Sequence, residues 1–448
     1  MPAHVLVEPV LRRYVSSSLL LVAALVIANP ARANGRFPKA NQLVVAPGAP
    51  DVMTLRTTFG VLYSSDRGEH WDWICESAVG YPPGTNEDPS IAITASKATV
   101  VGLYEGLSVS PDTGCTWNHI GELAKEVIID VVVRPDAPHT AFALTSTYVS
   151  ADDAGAATFN ARLYGTTDDG ATWAPFGVPI DPTTLSETVE VAKSDPHRYY
   201  ISAVKGAGMS ATGLLFVSND DGATWAPRPI PIDPSVEHAP FIAAVDPANA
   251  DRIYVRTGGG TTQSRLLVSD DAGKNFRVAY TGKPMLGFAL SPDGSKVFLG
   301  GIDGLFVANK TDLAFTQRSS ILVQCLATSG TTLYACSSES SGFILGASGD
   351  DGATFAPKLH LSTVRGPLAC APGTKGHDCA SEWPALRDAL GAGSTDAGMG
   401  DTGPSVPTLP SKGCGCDVAA SSSNAWWGGG FFAILGCAWF ARWRARKK

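Results

Sequence analysis

The chain has 448 residues, more than one hydrophobic core usually supports, so several folded units, or one unit with tails, is the starting expectation. Glycine (47) and proline (31) are abundant while only 17% of residues are charged, which argues against coiled coil, collagen and intrinsic disorder and favours a turn-rich β protein. Net charge is −8, and with residues 1–33 and 442–448 set aside 26 basic residues face 41 acidic ones, the wrong sign of body for nucleic acid.

In chain order, residues 1–33 read as a secretory signal peptide. Arg12 and Arg13 precede the apolar run Leu19 to Ile27, and Ala31-Arg32-Ala33 offers small residues where a signal peptidase cuts. The run is shorter than the ~20 residues a membrane span needs.

From residue 34 to residue 360 one pattern returns. Ser64-Ser65-Asp66-Arg67-Gly68-Glu69-His70-Trp71 recurs at Ser110 to Trp117, Thr166 to Trp173 and Ser218 to Trp225, with the same spacing of Ser/Thr, Asp, Gly and Trp. Two further copies close on phenylalanine, Ser269 with Asp271, Gly273 and Phe276, and Ser348 with Asp350, Gly352 and Phe355. A degraded copy lies at Ala308 to Phe315. The closing aromatics are 46, 56, 52, 51, 39 and 40 residues apart, and a period of about 40 to 50 residues made of strand-like segments marks propeller blades. The strands can be read directly: Phe241 to Val245, Arg252 to Arg256, Leu266 to Ser269 and Phe276 to Tyr280 in one repeat, and Val127 to Val133, Ala141 to Tyr148, Leu163 to Thr167 and Trp173 to Phe176 in another. Counting from Asn41 to Leu359 predicts an all-β, seven-bladed β-propeller of four-stranded antiparallel blades. Moving Asn41 to Ala46 into the last blade would change the count by one.

The repeat resembles the Asp-box, or BNR, repeat of sialidases, the Vps10/sortilin ectodomain, xyloglucan-cleaving endoglucanases and a seven-bladed photosystem II assembly factor family. The phrase Asp246 to Val255 is similar to endoglucanase and sortilin blades. In the box, the aspartates Asp66, Asp112, Asp168, Asp220, Asp271 and Asp350 are expected to accept backbone N–H bonds across a turn. The glycine permits positive φ, and Trp71, Trp117, Trp173, Trp225, Phe276 and Phe355 pack between sheets. No copy carries the alternating ligand ladder of a calcium loop, so no metal and no cofactor is expected.

Residues 361–390 form an edge segment with a helical pattern from Pro384 to Leu390, and 391–413 read as a flexible Gly/Ser/Pro linker. The tail, 414–448, holds Cys414-Gly415-Cys416, an uncharged stretch 425–441 expected to enter the membrane, and an Arg/Lys-rich end. This order resembles the myxobacterial C-terminal sorting signal (MYXO-CTERM), which implies processing near Cys414 or Cys416 and retention at the cell surface.

Six cysteines remain for the body once Cys414, Cys416 and Cys437 are assigned to the tail, an even number suited to an oxidising compartment. Cys325 and Cys336 flank the Ser329-Gly330-Thr331 turn symmetrically and are expected to face each other across a hairpin. Cys370 with Cys379 would close a small loop, leaving Cys75 with Cys115 to staple neighbouring blades.

Catalytic motifs are sparse. The sialidase resemblance implies an arginine triad and an R-I-P phrase, and the chain offers only Gly35-Arg36-Phe37-Pro38. The endoglucanase resemblance implies catalytic aspartates on two tandem propellers, and one propeller lacks that cleft. Loops opposite the boxes carry candidate reactive groups: Glu87, Asp88, Asp152, Asp153, Glu187, Glu237, His238 and Arg256. Glu187 and Glu190, three apart on a strand, are expected on opposite faces, and His238 beside Glu237 is a candidate proton-transfer couple, though charges in such a loop more often face solvent. The sequence therefore favours a monomeric, exported, surface-tethered scaffold that binds a protein or a glycan. The alternatives are a secreted glycoside hydrolase and an assembly factor for an envelope protein.

Overall fold

The computed structural model describes residues 37–153, 155–258 and 262–392. The signal-peptide, linker, sorting-tail and membrane-segment expectations, with Cys414, Cys416 and Cys437, lie outside these residues. Among the described residues no helix is long and apolar enough to cross a membrane.

Seven four-stranded sheets follow one another along the chain, each in simple sequential antiparallel order. The first strand, Ala40–Ala46, pairs with Ala49–Thr57 in its own blade and so opens blade 1, and Ala356–Leu359 completes blade 7. The first strands of successive blades touch in a closed ring, the seventh against the first, and therefore surround the propeller axis. Most boundaries match the sequence pattern, but blade 3 departs from it. Its second and third strands, Ala141–Ala151 and Ala157–Thr166, run on as a long hairpin where a polar loop was expected from Ser150 to Asn160.

The core is divided among the seams. Separate apolar clusters fill the spaces between blades 2 and 3, 3 and 4, 4 and 5, 5 and 6, and 6 and 7, and the largest joins blades 7, 1 and 2 to the C-terminal segment. Sheets packed face to face bury both surfaces, which is why inner and second strands read as near-continuous Val/Ile/Leu runs.

The boxes form the turns between third and fourth strands. In each of the six intact copies the Ser or Thr hydroxyl accepts the glycine N–H and donates to the aspartate, as in Gly68 N to Ser64 Oγ at 2.9 Å and Ser64 Oγ to Asp66 Oδ1 at 2.8 Å. The aspartate then accepts the N–H of the residue four positions after it, for example Thr224 N to Asp220 Oδ1 and Thr354 N to Asp350 Oδ1, both at 2.9 Å. Trp71, Trp117 and Trp173 each donate the indole N–H to the box glycine carbonyl and bury the ring in a seam. Two successive residues are left-handed, the glycine and the one before it: Arg67, Thr113, Asp169, Asp221, Ala272 and Asp351 all have φ between 56° and 65°. Sequence anticipates only the glycine, because non-glycine residues seldom adopt this backbone. In four blades the cost is offset by an N–H bond from that residue to a carbonyl in the turn joining the first two strands (His139, His197) or at the start of the second strand (Asp51, Asp251).

The ring is closed by residues 361–392. This strap leaves blade 7 and lies along the outer strand of blade 1, Asp72–Ile74. Arg365 N donates to Trp71 O, Trp73 N to Gly366 O and Leu368 N to Trp73 O, making a parallel fifth strand. The helix Trp383–Leu390 then packs on the same blade, with Trp383 5.7 Å from Trp73 between ring centroids.

All six body cysteines are bonded, and Cys325–Cys336 joins the directly opposed residues of a hairpin as expected. The other two pairs correct the sequence expectation: Cys75 bonds Cys379 and Cys115 bonds Cys370. The pairing of Cys370 with Cys379 and of Cys75 with Cys115 fails because the strap crosses over the outer face of blades 1 and 2, bringing each of its cysteines to a different blade. Three disulfides are consistent with an exported protein.

Candidate functional site

Around the axis the seven first strands contact one another in a closed ring. Counted from the rung holding the box Ser or Thr, Gln42, Ser90, Asp130 and Thr188 occupy the same position in blades 1 to 4. Each bonds the backbone of the next first strand at the same level. Gln42 brackets Ile91 N and O, Ser90 Oγ accepts Val131 N, Asp130 Oδ2 accepts Val189 N at 3.1 Å, and Thr188 Oγ1 accepts Ile242 N at 2.9 Å. These side chains stitch one half of the ring. The corresponding positions in blades 5 to 7 are Phe241, Gly287 and Cys325, which have no such reach.

One rung toward the end opposite the boxes, blades 1, 3, 4 and 6 each carry an extra residue, a β-bulge, at Asn41, Ile129, Glu187 and Leu286. Glu187 is therefore not in simple alternation with Glu190, and the expectation that three residues of spacing sends them to opposite faces rests on a regularity the strand does not have. Glu187 is 6% exposed, Glu190 is half-buried, and neither carboxyl has a hydrogen-bonding or ionic partner among the described residues. Burial alone pushes the Glu187 carboxyl up to about 8. Burial, helped by the negative charge of Asp130, takes Glu190 to about 8 as well. Asp130 rises to about 6 by burial, against the bonds from Ser90, Val189 N and Val131 N that favour its ionised form.

Arg56 and Arg256 occupy the same rung of the second strands of blades 1 and 5. Each reaches the chain entering the next blade, Arg56 to Asp88 O and Pro89 O, Arg256 to Met285 O at 2.9 Å. Arg256 also lies over the Phe241 ring, 4.8 Å from its centroid. Its guanidinium holds blades together, and burial together with the charge of Arg56 makes its protonated form less favourable than usual.

The remaining sequence candidates do not converge. Glu237 is fully buried, clamped by Arg265 at 2.5 and 2.6 Å, Thr257 Oγ1 at 2.7 Å and Asp233 N at 2.8 Å. Burial opposes ionisation there, but these donors outweigh it and hold the carboxyl below its usual value. His238 is exposed, so the adjacent pair does not form a proton-transfer couple. Asp152 accepts Ala156 N at the tip of the blade 3 hairpin, Asp153 beside it is exposed, and Glu87 accepts Tyr104 N. Among the described residues no group of three His, Cys, Asp or Glu side chains is placed to hold a metal ion.

What sequence reasoning missed on this end is apolar. Tyr148 and Val149 on the blade 3 hairpin are 38% and 63% exposed, and Met209 on the adjacent loop of blade 4 is 73% exposed. No period marks them in the sequence, since Tyr148 and Val149 are adjacent on one strand and Met209 lies in a short loop turn.

Protonation makes a stability prediction with a defined sign. Glu187, Glu190 and Asp130 have raised folded values, so their contribution is fully present below about 4 and is lost as pH rises through about 6 and then about 8. Box aspartates behave oppositely. Asp168, held by Thr166 and Thr172, and Asp271, held by Asn275, are lowered to about 2, so their contribution is present above about 4 and lost as pH falls toward 2. The melting temperature should therefore peak near pH 4 and decline from there to about pH 8. Glu187→Gln should flatten the alkaline decline, and a wild-type melting temperature constant from pH 6 to 9 would refute the account.

Fold and boxes together define the molecule as a seven-bladed Asp-box β-propeller. Residues 105–293, from blade 2 into blade 6, match the Sortilin-Vps10 family model (sortilin, neurotensin receptor 3). No curated protein matches the chain. Among solved structures it is similar to an ancestral GH74 enzyme, at 15% identity and a TM-score of 0.53 over 71% of this chain and 46% of that one. A puromycin-hydrolyzing peptidase of Mycobacterium tuberculosis matches at 14% identity and a TM-score of 0.48 over 72% of this chain and 54% of that one. The chain thus spans about half the length of these two proteins, and the likeness to the first is one of fold.

Proposed function

We propose that this chain is an exported, surface-held binding propeller that takes a protein or a glycan on the end opposite its boxes, without catalysis. The observation that carries this reading is the exposed set Tyr148, Val149 and Met209 on projecting segments of two neighbouring blades. Exposed apolar side chains raised on loops above a rigid scaffold are the usual anchors of a binding surface. The charged candidates Glu237 and Arg256 support it from the other side, since both are engaged in holding the fold. The test is binding of the full-length protein to intact cell envelopes and to arrayed glycans. Replacing Tyr148, Val149 and Met209 together by serine should weaken the interaction at least tenfold, at about 1 kcal/mol or more per lost anchor, and leave the melting temperature unchanged. Equal binding by the variant would overturn the proposal.

A second reading, glycoside hydrolysis, is favoured by Glu187 and Glu190 alone. A carboxyl held protonated at neutral pH is what a general acid requires. It predicts cleavage of surface or extracellular oligosaccharides with an alkaline limb that Glu187→Gln abolishes, and absence of cleavage across such a panel ends it.

A further inference from the structure

The three disulfides differ in how solvent reaches them. Cys75 and Cys379 are both 0% exposed, Cys325 and Cys336 are 6% and 0% exposed, and only Cys115 and Cys370 are half-buried. The accessible bond lies at the middle of the strap. Upstream of it, 365–368 form the parallel strand on blade 1. Downstream, Gly376 N donates to Cys115 O at 2.9 Å before the chain turns back to Cys379. The buried bond sits beneath that return, with Cys75 N 3.1 Å from Cys379 Sγ and Ser77 Oγ bonded to Glu382 of the strap.

We infer that residues 365–376 are a releasable segment carrying the fifth strand, and that Cys115–Cys370 is its redox lock, opened by a dithiol reductant before either other disulfide reacts. The step is ordinary exchange. A reductant thiolate attacks one sulfur of the pair, the S–S bond breaks and the other sulfur leaves as a thiolate. The reductant's second thiol then resolves the mixed disulfide, leaving Cys115 and Cys370 as thiols and the reductant as a cyclic disulfide. Attack needs a sulfur that a thiolate can approach, and the half-buried pair is the one whose residues reach solvent, with the side-chain-free Gly376 lying against Cys370 Sγ, whereas the other two pairs are buried.

Release is graded because the second bond remains. With Cys115–Cys370 open, the strap is still tethered through Cys75–Cys379, so the ring stays closed while the 365–368 pairing frays and re-forms. Fraying uncovers Trp73 N–H and the carbonyls of Trp71 and Trp73, a strand edge already shaped to accept a parallel segment because the strap itself occupies it. The tether makes this reversible, since reoxidation finds Cys370 held near Cys115. Blade 1 is the only blade whose outer edge is covered in this way among the described residues.

The experiment is graded reduction of the full-length protein with dithiothreitol under native conditions, quenched with an alkylating agent and mapped by mass spectrometry. Cys115 and Cys370 should label together, at least tenfold faster than Cys75, Cys379, Cys325 and Cys336. Amide exchange should rise across 365–376 at that stage and stay unchanged in blades 3 to 6. Labelling of Cys75 and Cys379 in the same phase, or of Cys325 and Cys336 first, overturns the inference, as does unchanged exchange across 365–376. In Cys115→Ser/Cys370→Ser, reduction of Cys75–Cys379 should accelerate at least tenfold, and an unaltered rate would count equally against the lock.

Discussion

Replacing Cys370 and Cys379 together by serine is expected to cost this propeller most of its stability. The two bonds they make join residues 255 and 304 positions apart, nearly the whole length of the ring. Cross-links over such spans restrict the unfolded chain most strongly, by about 4 to 5 kcal/mol for one bond, with the second adding less once the first exists. A domain's net stability is only about 5 to 15 kcal/mol. The arrangement makes the dependence sharper than entropy alone. In this propeller no four-stranded sheet mixes strands from both ends of the chain, and among the described residues only the short parallel pairing of the strap on blade 1 brings the backbone of the C-terminal segment to the first blade. The seam between blades 7 and 1 therefore rests on side-chain packing, on the Trp71 indole bond to Lys358 O, and on the strap. Calorimetry of wild type and the double variant should show a fall in melting temperature of more than about 10 °C. Cys325→Ser/Cys336→Ser, which removes a bond across only 11 positions within one hairpin, should fall by less. Equal melting temperatures for wild type and the strap variant would show that the seam closes without its clasp.

The second large effect is expected at Glu237, which by sequence is an acid in a loop and in the structure is the fully buried partner of Arg265. Glu237→Ala leaves the Arg265 guanidinium, itself only 20% exposed, without its ion-pair partner, leaves Asp233 N without its acceptor and removes the shorter of the two bonds Thr257 Oγ1 makes. Removing one member of such a pair typically costs about 3 to 5 kcal/mol. His238→Ala, one residue along on the exposed side, should stay within about 0.5 kcal/mol. Denaturant unfolding of the two variants measures the contrast directly. A Glu237→Ala protein as stable as wild type, with altered ligand binding or turnover, would move Glu237 from the framework to the site.

Those two residues also show where sequence reading stops. Neighbours in a loop share composition and spacing, yet one lies under Arg265 and the other in solvent, and only the path of the loop over blade 5 separates them. Glu187 makes the same point on a strand. A period of two assigns its face, and a bulge, which leaves no mark in the residue types, cancels that assignment. The cysteines are a third case. Cys325 and Cys336 were legible because a hairpin places them opposite each other, whereas four cysteines with no local geometry have three possible pairings, and the choice follows from where the strap crosses.

The sequence by itself determined the repeat, the seven blades, their four strands and the chemistry of each box, because these depend on contacts within about 50 residues that recur in every copy. Tertiary structure alone decided how the ring closes, which carboxyls are buried without partners, and which bonds link blades 1 and 2 to the strap. Those depend on segments brought together from up to 304 positions apart, and no local pattern encodes so distant a neighbour.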